Sequence, residues 1–161
     1  MPPWLGGGDM IASVTFEHTE YNEVPYKFEA GTPNIAGVVG FGAAIDFLAR
    51  FGMREIAAHE HQLLAHASAS LGALDGIRLV GRAPVRAGVV SFLVGDVHPH
   101  DVGTFLDQDG IAVRTGQHCA QPVMDYYGIT STVRASFGLY NTRADVDALV
   151  AGVRRVQAFF A

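Results

Sequence analysis

Apolar residues recur at helical spacing in three stretches of the chain. The first stretch follows Thr32 and Pro33 and contains Ile35, Val38, Val39, Ile45 and Leu48. A threonine followed by a proline is typical of a helix start, so Thr32 is the predicted N-cap and Pro33 the first helical residue. The second stretch predicts a helix over 54–74, and the third predicts a C-terminal helix that begins at a capping box, Thr142 to Asp145.

The first of these predicted helices contains several glycines. Gly37, Gly40 and Gly42 lie inside it, where glycine lowers helix stability, and they therefore predict close packing against another element. Gly52 is the predicted stop.

Shorter stretches have the alternating or continuous apolar pattern of strands. The predicted strands are 10–17, 77–81, 88–94, 111–116 and 131–138. A short helix is predicted over 100–110, and residues 18–31 are predicted to be loop. This order predicts an α/β layered domain, with a change of composition near residues 31–33 as its only candidate boundary.

Composition narrows the function classes. The chain has 161 residues, a net charge of −5 and 11 scattered basic residues, which argues against a nucleic-acid partner. No apolar run approaches the roughly 18 residues of a membrane span. One cysteine cannot form an internal disulfide, so a reducing, cytoplasmic setting fits best.

That single cysteine, Cys119, lies in the segment RTGQHCAQP, beside Arg114 and His118. A lone cysteine is often a buried structural residue. Positive charge near a thiol favours the reactive thiolate, and a loop rich in glycine and proline favours access. Local chemistry alone leaves both interpretations open.

Seven histidines raise the alternative of a metal site. The segment HEHQLLAH lacks the spacing of an HExxH zinc motif, because His61 follows His59 by two residues. His59 and His66 are instead predicted to be solvated on one helix, and no metal site is predicted.

Two further features suggest anion binding. Arg134 lies in the middle of a predicted strand, where it requires either a structural carboxylate or a substrate carboxylate as partner. Gly31 and Thr32 precede a predicted helix, whose free N–H groups and dipole can form an anion site. The alternative is that Thr32 only caps the helix.

Four segments together resemble one family. RTGQHCAQPVMDYYG and VRASFGLYNTRADVDALVAGVRRV are similar to the C-terminal region of group II, SUF-system type cysteine desulfurases of the class V aminotransferase family. PPWLGGGDMI and YKFEAGTPN resemble segments of the same family in the same order. The family usually has a histidine where this chain has Gln117.

The resemblance implies a fold and a set of roles. The fold is the C-terminal small domain of a fold-type I pyridoxal 5′-phosphate enzyme, with a mixed or antiparallel sheet and helices on one side. Cys119 accepts sulfur from L-cysteine, which leaves L-alanine and an enzyme persulfide for iron–sulfur cluster assembly. Arg134 binds the substrate carboxylate with Arg114 nearby, and His118 and Gln117 support the loop. In the homodimer, Gly31 and Thr32 reach the cofactor phosphate of the partner subunit.

The resemblance also implies a partial enzyme. Residues 1–32 resemble a remnant of the large domain, and residues 33–161 resemble a linker helix plus the small domain. The one lysine, Lys27, does not match the family's cofactor-binding lysine, so the chain alone is predicted to hold no cofactor stably and to be inactive. The alternative is a stand-alone, non-enzymatic sulfur carrier or interaction module.

Overall fold

The computed structural model describes all residues, Met1–Ala161, and shows a chain of mixed α-helix and β-strand. It divides into two compact units, Met1–Phe51 and Gly52–Ala161. The boundary predicted at residues 32 and 33 therefore lies inside the first unit. The assignment of residues 1–32 to a large domain and of 33–161 to a linker helix and small domain stays a prediction.

The first unit contains a short antiparallel hairpin, β1 (Ile11–Val14) and β2 (Thr19–Tyr21). Its turn forms because the Thr15 hydroxyl accepts hydrogen bonds from the amides of Glu17, at 3.2 Å, and His18, at 3.0 Å. The prediction of loop over 18–31 was wrong here, and it also missed a 3-10 helix at Tyr26–Phe28. Elements of three residues are too short to show a period in the sequence.

Helix α1 (Ile35–Ala49) completes the first unit. Its N-cap is Asn34, whose side chain accepts from the Gly37 amide at 3.0 Å, so the predicted cap at Thr32 was wrong. Asparagine caps at least as well as threonine, and it lies next to the first apolar residue of the helix.

The close packing predicted for the glycines of α1 is not formed within this chain. No residue of α1 is buried, and a Cβ placed on Gly40 or Gly42 would meet no neighbouring atom. No single helix of the chain is long and apolar enough to cross a membrane; α1 and the following helix pass that test only when counted together as one broken span.

The second unit is built on a four-stranded antiparallel sheet with the order β3-β4-β6-β5. The strands are β3 (Ile77–Val80), β4 (Val89–Val94), β5 (Arg114–Gly116) and β6 (Thr132–Ser136). All four were predicted, and each is shorter than its pattern suggested. The short edge strand β5 leads directly into the segment that contains the cysteine.

Three helices cover one face of this sheet: α2 (Met53–Gly72), α3 (Pro99–Gln108) and α5 (Arg143–Phe160). Val90, Phe92 and Val94 alternate along β4 and are all buried, so they point to the same side. The core contains these residues with apolar side chains of β6 and the three helices. The predicted capping box is confirmed, since Thr142 and Asp145 exchange hydrogen bonds at the start of α5.

The sequence pattern missed helix α4 (Gln121–Tyr127), which follows the cysteine loop. Pro122 lies in its first turn, where the missing N–H of proline is not required. Gly128 ends the helix in the left-handed conformation, at φ 64°. A proline and a glycine that suggested a loop are therefore the start and stop of a short helix.

Candidate functional site

The face of β6 turned away from the core carries the polar residues of the site. Val133 and Ala135 are buried in the core, so Thr132 and Arg134 lie on the opposite face of the strand. In the sheet, Arg134 pairs with Ser91 of β4 on one side and with Arg114 of β5 on the other. The two arginines are therefore direct cross-strand neighbours.

Neither arginine has a carboxylate partner. The only salt bridges in the chain join His66 to Asp147 and Arg155 to Asp109. The Nε atom of Arg134 is buried and has no hydrogen-bond partner. Like charges directly opposite each other destabilise a strand pair, so this arrangement is suited to binding an anion. Within this chain Arg134 therefore forms no structural salt bridge.

The cysteine loop leaves β5 at Gly116, where φ is 121°. His118 and Cys119 then adopt the left-handed conformation, at φ 55° and 58°. This conformation costs a non-glycine residue about 1–3 kcal/mol, so the surrounding structure must hold it in place. A turn from the Ala120 amide to the Gln117 carbonyl, at 3.0 Å, closes the loop and leaves Cys119 exposed. The interpretation of Cys119 as a buried structural cysteine is therefore wrong.

His118 is fastened to the sheet. Its Nε2 atom lies 2.9 Å from the hydroxyl oxygen of Thr132. Burial, and then the charges of Arg134 and Arg114, lower the pKa of His118 below 6.5, while a hydrogen bond to the Thr132 backbone acts in the opposite direction. The lowered pKa favours the neutral imidazole, so Arg134 and Arg114 are the permanent positive charges of this region.

Three buried side-chain polar atoms lack a hydrogen-bond partner in the chain: His118 Nδ1, Ser131 Oγ and Arg134 Nε. All three belong to the cysteine loop, to β6 or to the residue before it. Buried polar groups are nearly always hydrogen-bonded, so a cluster of unpaired ones is typical of a functional site. Gln117, by contrast, is exposed and makes no side-chain hydrogen bond.

The predicted phosphate-binding residues Gly31 and Thr32 lie in the first unit. The Gly31 amide donates to the Gly8 carbonyl at 2.9 Å, so it is not the free donor that was expected. Thr32 is exposed, and its hydroxyl keeps the donor that a phosphate contact needs. Lys27 lies in the 3-10 helix with its ammonium group 5.8 Å from the centre of the Phe28 ring.

Two histidines of α2, His59 and His66, contact the segment around the start of α5. His59 Nε2 lies 2.9 Å from the Asn141 carbonyl, and His66 Nε2 lies 2.7 Å from a carboxylate oxygen of Asp147. Both side chains are therefore partly buried and make structural contacts. The prediction that they are solvated was wrong. No three His, Cys, Asp or Glu side chains group closely enough to hold a metal ion.

Sequence reasoning missed Thr132 and Ser131. Thr132 is only 1% exposed and Ser131 only 7%, although both are polar. One signal was available: the alternation of β6 places Thr132 on the same face as Arg134, two residues away.

Comparison with known proteins gives a consistent result. The model of the aminotransferase class-V family matches residues 1–149. A probable cysteine desulfurase of Xylella fastidiosa is 50% identical over 157 residues, which is 98% of this chain and 38% of that protein. The chain thus spans about two-fifths of the length of this curated relative.

Solved structures agree with the sequence matches. The cysteine desulfurase CsdA from Escherichia coli superposes with a TM-score of 0.89 at 41% identity, over 99% of this chain and 39% of that chain. A variant of C-DES with glycine covalently linked to its PLP cofactor superposes with a TM-score of 0.73, over 94% of this chain and 37% of that chain. At 21% identity, this second likeness concerns the fold alone.

Proposed function

The chain belongs to the aminotransferase class-V family, and we propose that it is the sulfur-accepting part of a cysteine desulfurase of the group II type. Its solved relatives include cysteine desulfurases with the fold-type I architecture, which confirms the fold class expected from the sequence. One observation carries the proposal. An exposed thiol, Cys119, lies on a loop fastened to the strand that carries Arg134, an arginine with no partner in the chain.

The proposed reaction converts L-cysteine and a thiol into L-alanine and a persulfide. The Cys119 thiolate attacks the substrate sulfur, the sulfur–sulfur bond forms, and the carbon–sulfur bond breaks with its electron pair left on carbon. Carbon then takes up a proton, so hydrogen and sulfur balance between substrate and products. Bound pyridoxal phosphate supplies the electron sink for this step. The persulfide passes its sulfur to an acceptor protein for iron–sulfur cluster assembly.

The arginines supply substrate recognition in this proposal. Arg134 offers a planar pair of donors that matches a carboxylate, and Arg114 adds a second positive charge directly across the ladder. Binding the carboxylate of L-cysteine removes the repulsion between the two guanidinium groups.

The cofactor belongs to the complete enzyme in this proposal. In this proposal the Thr32 hydroxyl contacts the cofactor phosphate, and Gly31 allows close approach through its φ of 82°. In a homodimer these residues serve the partner subunit's cofactor. The only lysine, Lys27, occupies that same segment, so we propose that the chain alone does not hold the cofactor stably.

A sulfur carrier is the second candidate, and the exposure of Cys119 together with the single lysine favours it. Such a module holds a persulfide on Cys119 without forming it from L-cysteine. Its sulfur comes from a separate donor. The two candidate functions differ in whether alanine is produced when a persulfide forms on Cys119.

The test combines this chain with a full-length class-V cysteine desulfurase whose own loop cysteine is replaced by serine. Pyridoxal phosphate and L-cysteine are added, alanine is quantified, and the Cys119 peptide is examined by mass spectrometry. We expect alanine and one added sulfur atom on Cys119 only in the mixture, and neither with the Cys119→Ser chain.

The matched controls separate the candidates. The chain without the partner enzyme should make no alanine from L-cysteine and pyridoxal phosphate. If inorganic polysulfide readily forms a persulfide on Cys119 while the mixture makes no alanine, the chain is a sulfur carrier and not part of a desulfurase. If sulfur never appears on Cys119 in either case, both proposals fail.

A further inference from the structure

The left-handed backbone at His118 and Cys119 is held by one side-chain hydrogen bond. Among residues 114–120, only His118 makes a side-chain hydrogen bond, and its partner is Thr132 at 2.9 Å. The backbone contributes one further turn contact, from Ala120 to Gln117. Two consecutive non-glycine residues at positive φ require such a restraint, because their relaxed conformations lie elsewhere.

Thr132 is a rigid anchor for this restraint. It is 1% exposed, and it lies within β6, where it pairs with Gly116, the last residue of β5. Its β-branched side chain has few accessible rotamers in a strand. The hydroxyl therefore has a defined position relative to Arg134, two residues further along the same face.

We propose that Thr132 is a positioning residue, whose buried hydroxyl holds His118 and thereby sets the backbone conformation that presents Cys119. This inference rests on the proposed function for its catalytic consequence, but the structural link can be measured without any activity. His118 transmits the restraint because it is adjacent to the cysteine and its ring reaches the sheet. Gln117, which is exposed and unbonded, has no part in it.

The first experiment is NMR spectroscopy on this chain labelled with 15N and 13C. Thr132→Val removes the hydroxyl and keeps the shape, so the imidazole should leave its buried position. Because burial is the largest cause of its low pKa, the pKa of His118 should then rise toward 6.5. The Cα shifts of His118 and Cys119 should move away from left-handed values. Thr132→Ser should restore both, and Thr130→Val, the same chemical change at an exposed position, should alter neither.

The second experiment measures persulfide formation on Cys119 in the mixture with the full-length enzyme described above. Thr132→Val should slow it by about tenfold to a hundredfold, the scale expected for a misplaced reacting group, at unchanged KM for L-cysteine. On a His118→Ala background the same change should have no further effect, because the restraint acts through the imidazole.

Three results would overturn the inference. One is a His118 ring that keeps its pKa and nitrogen shifts in Thr132→Val. Another is a failure of Thr132→Ser to restore them. The third is a Thr132→Val effect on persulfide formation that persists in full without His118. If Thr132→Val proves unfolded by circular dichroism, Thr132→Ala, which adds no apolar group, provides the same comparison. If no variant or parent acquires sulfur, the proposed function fails while the NMR result still decides the role of Thr132.

Discussion

At the scale of single residues, the candidate site is identified by unpaired charges and by an unusual backbone conformation. Arg134 and Arg114 face each other across two strands without a carboxylate, and Cys119 projects from a strained loop beside them. Each feature is unfavourable for folding taken alone. Together they are consistent with binding the carboxylate of an amino acid beside a thiol.

Arg134→Gln should weaken substrate binding without destabilising the fold. Charge-assisted hydrogen bonds contribute about 1.5–3 kcal/mol each, so KM for L-cysteine in the reconstituted mixture should rise more than tenfold. Thermal unfolding should stay the same or shift upward, because a repulsion across the ladder is removed. Arg82→Gln, at an exposed arginine outside the site, is the matched control. An unchanged KM with a lower unfolding temperature would restore the structural interpretation of Arg134.

His118 should make the stability of the chain depend on pH. Its folded pKa is below 6.5, so the unfolded state binds more protons between 6.5 and that lower pKa. The free energy of unfolding should therefore fall as the pH drops through this window, and His118→Gln should reduce the slope. Urea unfolding at a series of pH values measures both. Equal slopes for parent and variant would show that burial does not hold the imidazole neutral.

At the scale of elements, hydrogen bonds at the ends of a helix and pairing with a neighbouring strand determine where the elements lie. Helix α5 begins at reciprocal hydrogen bonds, with the Thr142 amide 2.7 Å from an Asp145 carboxylate oxygen. The bond from the Thr142 amide, followed by one from the Thr142 hydroxyl, lowers the pKa of the Asp145 carboxyl. β5 has three residues, and it is positioned by pairing with β6 and by the contacts of α3.

Thr142→Ala should destabilise the chain by about 0.5–2 kcal/mol, because the first turn of α5 loses its cap. Chemical denaturation measures the change. Thr104→Ala, inside α3 at an exposed position, removes a hydroxyl that bonds only to the carbonyl four residues earlier. It should be neutral or slightly stabilising, because alanine is the better helix former. A similar loss in both variants would mean that the capping box contributes nothing specific.

At the scale of the whole molecule, apolar exposure differs sharply between elements. The clustered buried core comes from the second unit. In the first unit Met10 is buried, whereas α1 buries none of its residues. Val38 and Phe41, three residues apart on α1, are 66% and 68% exposed. Contiguous apolar surface of this kind favours association in water.

The chain should therefore self-associate as its concentration rises. Replacing Val38 and Phe41 by serine should shift the population toward monomer, as measured by light scattering during size-exclusion chromatography. Val85→Ser, at an exposed valine of the second unit, should have little effect. Equal masses for all three chains at every concentration would contradict the prediction.

Periodicity and local chemistry were enough to predict the three long helices and the four strands of the main sheet. Their apolar residues repeat over enough positions to define a face, and Thr142 with Asp145 forms a local capping motif. Arg134 could be singled out because a charged residue inside a short apolar strand is unusual. Cys119 and Arg114 could be singled out because they lie close together in a loop rich in glycine and proline. The hairpin, helix α4 and the cap at Asn34 could not be predicted in this way, because each depends on only a few residues.

Only the tertiary structure decided how the site is built. Sequence alone left Arg134 with two possible partners, a structural carboxylate or a substrate carboxylate. The sheet placed it opposite another arginine, and it forms no salt bridge within this chain. Burial and the charges of Arg134 and Arg114 lower the pKa of His118, which local sequence did not predict. The contact between His118 and Thr132 joins residues 14 positions apart. Such pairings depend on register and burial, which arise only when distant strands meet, so no local pattern of residues contains them.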